Sequence, residues 1–255
     1  SVEGESNEIM IRAGELDHYS LSVPEQVKAG ESFSVKIRPR DEFGNQILDY
    51  AGRGDPVILA VRGREDSRKV VDPSDFSDGR ATVEFSYTNA SSIRLSATSQ
   101  ENEEIAGQSR AMIVSPGDPG DIQINAPGTV RAGENFTASL VLTDSYGNEI
   151  KETSYLPGKV RVSLINGTTR QEKVLTPSQF IEGENQLVFR HETAEEVSVF
   201  AEDRHFDVRV KGPGVEVRPA SFDHVAVSAP GNVQAGSTFD LGITLLDRFE
   251  NELRN

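Results

Sequence analysis

The strongest landmarks in this chain recur 103 residues further on. Ala29-Gly30 returns as Ala132-Gly133 and again as Ala235-Gly236, Asp41 returns as Asp144 and Asp247, and Pro24 returns as Pro127 and Pro230. A fixed period means that one structural unit is built repeatedly, so the fold of one copy must serve the others.

The richest block reads Ala29-Gly30-Glu31-Ser32-Phe33, an alternating segment, then Asp41-Glu42-Phe43-Gly44-Asn45. Its second copy runs from Ala132 to Asp144-Ser145-Tyr146-Gly147-Asn148, and its third from Ala235 to Asp247-Arg248-Phe249-Glu250-Asn251. Between the landmarks the apolar residues alternate with period two: Phe33, Val35 and Ile37, then Phe136, Ala138 and Leu140, then Phe239, Leu241 and Ile243. That spacing predicts a strand with one buried face. The Asp-x-x-Gly-Asn motif ends the strand in a tight turn. Gly44 and Gly147 tolerate positive φ, and Asp41, Asn45, Asp144, Asn148, Asp247 and Asn251 supply side chains that bond nearby backbone. Glu250 stands where the third copy lacks the glycine.

Further β-rich runs follow at Val57–Val61, Ala81–Phe85, Ile93–Ala97 and Ala111–Val114, and in the second copy at Val160–Leu164, Gln186–Phe189, Val197–Phe200 and Val215–Val217. No long stretch has helical period. About seven short strands in roughly 100 residues, punctuated by turn residues, predict an all-β chain of tandem immunoglobulin-like β-sandwich domains in an elongated array. The Cys and Trp of antibody domains are absent.

The period also sets boundaries. Residues 14–116 form a first repeat, 117–219 a second and 220–255 part of a third. Residues 1–13 are the last strand of a preceding repeat or an N-terminal extension, because Glu8-Ile9-Met10-Ile11-Arg12 resembles Ala111-Met112-Ile113-Val114. The third copy has too few residues to bury both sheets of a sandwich. Pro116 and Pro119, each with a locked φ, favour a restrained joint over a loose tether.

Composition narrows the function. The 26 Lys and Arg against 41 Asp and Glu give a formal charge of −15. Phosphate backbones and anionic lipid would repel such a chain, so no nucleic acid is expected as a partner. Zero Cys excludes a disulfide framework, a thiolate zinc site, an iron–sulfur cluster and a Cys nucleophile. No apolar run approaches the roughly 18 residues of a spanning helix, so no membrane insertion is expected in this segment, and the acidic start is no signal peptide.

The pattern Leu16-Asp17-His18-Tyr19, repeated as Phe222-Asp223-His224-Val225, followed by a Pro, Ala-Gly, an alternating strand and Asp-x-x-Gly-Asn, resembles the Ig-like or filamin-like tandem repeats of large prokaryotic cell-surface proteins. Asp72-Pro73-Ser74-Asp75-Phe76 and Thr176-Pro177-Ser178-Gln179-Phe180 resemble that family's mid-repeat segment. The middle repeat departs from the pattern with Gly120-Asp121 in place of Asp-His. The resemblance implies an extracellular, surface-located module of a stalk, surface layer or filament, partnered by copies of itself or by other surface proteins. It also admits an adhesin, or an accessory stalk of a secreted enzyme.

Three sets of residues are candidates for chemistry. Arg53-Gly54-Asp55 lies between expected strands, where an adhesion tripeptide could be displayed; the same residues suit an ordinary turn. Asp17, Asp41, Asp118, Asp121 and Asp144 sit near junctions and strand ends and could offer oxygens to calcium, or serve as turn residues. His18, His191, His205 and His224 have no metal-ligand spacing, and no G-x-S-x-G elbow is present, so no catalytic residue is assigned and no enzyme is expected.

Overall fold

A computed structural model describes residues 3, 7–64, 66–154, 156–166 and 170–253. The chain divides into two compact units, Ser1–Gly117 and Asp118–Asn255. The division falls one residue from the period's first junction, and the third-repeat residues belong to the second unit.

In the first unit the strands are β1 (His18–Ser22), β2 (Gln26–Lys28), β3 (Ser32–Arg40), β4 (Val57–Val61), β5 (Arg68–Val71), β6 (Ala81–Ser86), β7 (Ser91–Ile93), β8 (Leu95–Ser99), β9 (Ala106–Gln108) and β10 (Met112–Ser115). One sheet has the order β1-β3-β6, and opposite it lie β5-β4-β8-β9 and β2-β10-β7. Alternation does what the sequence requires: in β3, Phe33, Val35 and Ile37 are buried while Ser34 and Lys36 face water. They meet Val57, Leu59, Leu95 and Ala97 from the facing strands in one core. β2 runs parallel to β10, pairing Val27 with Val114, while the other pairs in this unit are antiparallel.

The second unit repeats the plan with β11 (Pro119–Asn125), β12 (Thr129–Arg131), β13 (Asn135–Asp144), β14 (Val160–Ile165), β15 (Arg170–Leu175), β16 (Glu184–Arg190), β17 (Glu196–Asp203) and β18 (Val208–Arg218). Here the sheets are β11-β13-β16 and an unbroken β12-β18-β17-β14-β15. The first unit has the same order interrupted between β7 and β8 at Arg94. Beside that break Ser109 is buried, its Oγ accepting the Leu95 N–H at 2.9 Å.

Two short elements fix the ends of the sheets. The mid-repeat segments form single 3-10 turns at Pro73–Asp75 and Pro177–Gln179, and each delivers a buried phenylalanine, Phe76 or Phe180, to its core. Each is followed by a two-residue hairpin loop, Asp78-Gly79 or Glu182-Gly183, with φ positive at both residues. Such a loop matches the twist of the strands it joins. A one-turn helix, α1 (Tyr50–Arg53), is the only α-helix among the described residues.

Residues 7–12 pair with none of the described residues, and Ile9, Met10 and Ile11 are exposed; both readings of residues 1–13, an N-terminal extension or the last strand of a preceding repeat, stand. One expectation changes. In the third repeat β19 (Phe222–Ser228) and β20 (Gly242–Asp247) make a two-stranded sheet, whose strand is shorter than the alternation predicts. Phe239, Leu241 and Ile243 are 51%, 56% and 69% exposed. Their equivalents in the earlier repeats are buried by a third strand and a facing sheet, neither of which is present for β20 among the described residues.

No helix of the described residues is long and apolar enough to cross a membrane.

Candidate functional site: the turn at the repeat joint

The Asp-x-x-Gly-Asn turn does more than end a strand. Asp41 is buried at the end of β3, and its Oδ1 accepts the N–H groups of Phe43 at 3.0 Å and Asn45 at 2.7 Å. Its Oδ2 accepts Asn45 Nδ2 at 2.9 Å and the N–H of Gly14, the first residue of the repeat, at 2.9 Å. Asp247 is bonded alike: Phe249 and Asn251 N–H on Oδ1, Asn251 Nδ2 and the Ala220 N–H on Oδ2. Asp144 receives Tyr146 N–H, Asn148 N–H and Asn148 Nδ2.

Four donors converge on each of Asp41 and Asp247, which matches the capacity of an ionised carboxylate. They favour the charged form, and the Gly14 amide leads in holding the Asp41 carboxyl down at about 2. At Asp247 burial opposes ionisation, but the bonds from Asn251, Ala220 and Phe249 outweigh it and the pKa falls below the ordinary range. Gly44 and Gly147 take φ of 80° and 82° in the turn; Glu250 adopts 67° in the third copy, a conformation L-residues enter at a cost.

In the second unit this turn also grips the preceding repeat. Asn251 Oδ1 accepts the Ala194 N–H at 2.7 Å, and Nδ2 donates to the Glu192 carbonyl at 2.7 Å as well as to Asp247. Every hydrogen-bonding group of that buried amide is used. Beside it the Phe249 ring covers Gly133, where an added Cβ would lie 2.3 Å from the ring, and the Arg248 guanidinium stacks 4.7 Å from the ring centre. Asp247 therefore fixes the start of its own repeat, and Asn251 and Phe249 fix that repeat to the one before.

The other candidates are placed separately. Asp17 and Asp121 are exposed, Asp17 beside His18 Nδ1 at 2.8 Å and Asp121 accepting the Ile122 N–H; Asp118 is also exposed. Calcium favours roughly six to eight oxygen ligands, whereas the Asp41 oxygens already face N–H groups. Among the described residues no three His, Cys, Asp or Glu gather to hold a metal ion.

Arg53-Gly54-Asp55 begins at the last residue of α1, with Gly54 capping its single turn. Arg53 is exposed and pairs with Asp49 at 3.0 Å. Gly54 lies against the Tyr50 ring, where a Cβ would sit 2.4 Å from it. Asp55 is half-buried, its carboxylate accepting Ser99 Oγ at 3.4 Å and its carbonyl accepting the Tyr50 hydroxyl at 2.6 Å. Tyr50 in turn meets the Tyr19 hydroxyl at 2.8 Å. Two of the three residues are thus packed into the end of the core.

Sequence reasoning marks Asn45, Asn148 and Asn251 as turn residues and misses that Asn251 reaches the previous repeat. The recurrence of an Asn at that position was the available signal, since a turn alone accepts several other residues.

No protein-family model matches the chain, and no curated protein does. Among solved structures it is similar to FdeC, an Escherichia coli adhesin, at 16% identity and a TM-score of 0.47, covering 94% of this chain and 77% of that one. It is also similar to invasin, a bacterial integrin-binding protein, at 13% identity and 0.39, covering 92% of this chain and 47% of that one. Chicken CNTN1 FN1–FN3 domains show 10% identity and 0.42, covering 91% and 75%. At these values the fold assignment rests on the strand pairing and registers above.

Proposed function

We propose that this chain is a non-enzymatic structural segment of an exported prokaryotic surface protein, serving in a stalk, surface layer or filament by spanning distance with joined β-sandwich repeats. The observation that carries the reading is the Asn251 amide, whose Oδ1 and Nδ2 both bond backbone of the preceding repeat, at Ala194 and Glu192, while Nδ2 also holds Asp247 of its own repeat. A turn whose only task was to reverse the chain would have no need to reach Glu192 and Ala194. The resemblance of the repeat motifs to those of prokaryotic surface proteins supports the same reading, and fold alone assigns no role.

The test is Asn251→Ala in the intact chain, with backbone NMR relaxation and residual dipolar couplings measured for β19 and β20 against β11–β18. In the unaltered chain the two sets report one orientation; in the variant the third-repeat strands reorient independently. An unchanged alignment tensor in the variant would remove the basis of the proposal. Scattering across a concentration series then separates an assembly unit, which grows with concentration, from a passive spacer.

A further inference from the structure

The two complete repeats share one scaffold, which makes each a control for the other. On the outward face of the second repeat's larger sheet, successive cross-strand rungs read Arg161, Glu202, Arg209 and then Glu172, Ser163, Phe200, Lys211. The same rungs of the first repeat read Ile58, Thr98, Ala106 and then Arg68, Ala60, Ser96, Gln108. The fold is therefore satisfied at these positions by a set with one charge, Arg68, and no aromatic ring. The charged and aromatic set in the second repeat has another cause.

The cations face outward and the anions are tucked between them. Arg204 and Arg209, with side chains 80% and 78% exposed, both engage Glu202, which is 19% exposed. Arg161 and Arg170 both engage Glu172, Arg170 at 3.0 Å. Two carboxylates thus serve four guanidinium groups. With Lys211, whose Nζ lies 5.9 Å from the Phe200 ring centre, the face carries an excess of three positive charges on a chain whose net charge is −15. Glu196 and Glu216 bound it on the side towards the joint. Between the arginines lies a depression of about 290 Å³ with buried Ser163 and half-buried Phe200 at its floor.

We infer that this depression is a binding site for a carboxylated saccharide. A guanidinium fork matches a carboxylate in two parallel hydrogen bonds, and the partly exposed Phe200 ring offers the C–H face of a sugar a stacking surface. The floor is formed by β14 and β17, both already paired on each side, so a peptide has no ladder to extend there. This site is independent of the joint and of the spacer role.

The experiment titrates the intact chain with trigalacturonate at low salt, following amide shifts and heat. Binding with shifts centred on Ser163, Phe200 and Arg209, weakened by added salt, supports the inference. The comparison is a triple variant carrying the first repeat's residues, Arg161→Ile, Phe200→Ser and Arg209→Ala, with Phe200→Ser alone as a milder second variant. At unchanged melting temperature the triple variant should bind at least tenfold more weakly. Equal binding of neutral cellotriose, tighter binding of triglutamate, retained affinity in the triple variant or the absence of shifts each overturns it.

Discussion

Asn251 Nδ2 of the third repeat donates to the carbonyl of Glu192 in the second at 2.7 Å while its Oδ1 accepts the Ala194 N–H. An aspartate at this position keeps the acceptors and loses the donors, and it faces the Asp247 carboxylate. Asn251→Asp is expected to weaken the joint by about 2 kcal/mol, more than Asn251→Ala, because an unpaired buried acceptor and a like charge are added to the lost bonds. Hydrogen exchange at the Ala194 amide reads this directly. Equal protection in the two variants would contradict the assignment.

Acid should loosen the first repeat through Asp41. Its folded pKa of about 2 lies below the ordinary 3.8, so its contribution is present in full above pH 3.8 and is lost as pH falls towards 2. Melting temperature followed from pH 5 to pH 2 should fall less steeply over that lower range in Asp41→Asn, from a lower starting value. Parallel slopes for the two proteins would show that the turn carboxylate is not a source of the acid sensitivity.

Two glycines with similar backbone angles should respond differently to alanine. Gly44, at φ 80°, has open space around an added Cβ, so Gly44→Ala is expected to cost about 1 kcal/mol from the left-handed conformation alone. At Gly79, φ 65°, the Cβ would lie 2.3 Å from the Ile47 carbonyl oxygen. Gly79→Ala is therefore expected to cost at least about 3 kcal/mol, because the hairpin must move off the segment it packs on. Urea denaturation of the two variants makes the comparison.

The tripeptide at 53–55 should behave as part of the core. Tyr50→Phe removes a hydroxyl bonded to Tyr19 and to the Asp55 carbonyl, and is expected to destabilise the first unit by about 1–2 kcal/mol. Asp55→Glu should lower the melting temperature and leave attachment of integrin-bearing cells to immobilised protein unchanged. Loss of attachment would instead assign a ligand-binding role to Asp55.

Strands with one buried face were legible in the sequence, as β3, β6 and β13 show, because period-two alternation is the imprint of that environment. β15 left no such imprint. Its residues Arg170-Gln171-Glu172-Lys173-Val174-Leu175 are mostly at the surface, and its place comes from ladder pairing with β14. The Asp78-Gly79 hairpin had a readable signature in its residue pair, whereas Glu182-Gly183 at the matching position does not. For the joint, the local half of the motif was legible because Asp41 bonds residues two and four further on. The long-range half was not, since the partners of Asn251 lie 57 and 59 residues away and contribute backbone atoms that carry no residue identity. The cationic face became visible only once strand registers placed Arg161, Glu202 and Arg209 on one rung.

The parallel pairing of β2 with β10, and of β12 with β18, has a mechanical meaning. In each repeat a strand near the beginning lies beside one near the end, both pointing the same way. Traction applied to the two ends slides these neighbours lengthwise past each other, so the ladder bonds are loaded together instead of parting one after another. Endurance under tension is then governed by the rate at which these short ladders rupture, a quantity separate from the equilibrium stability of the fold.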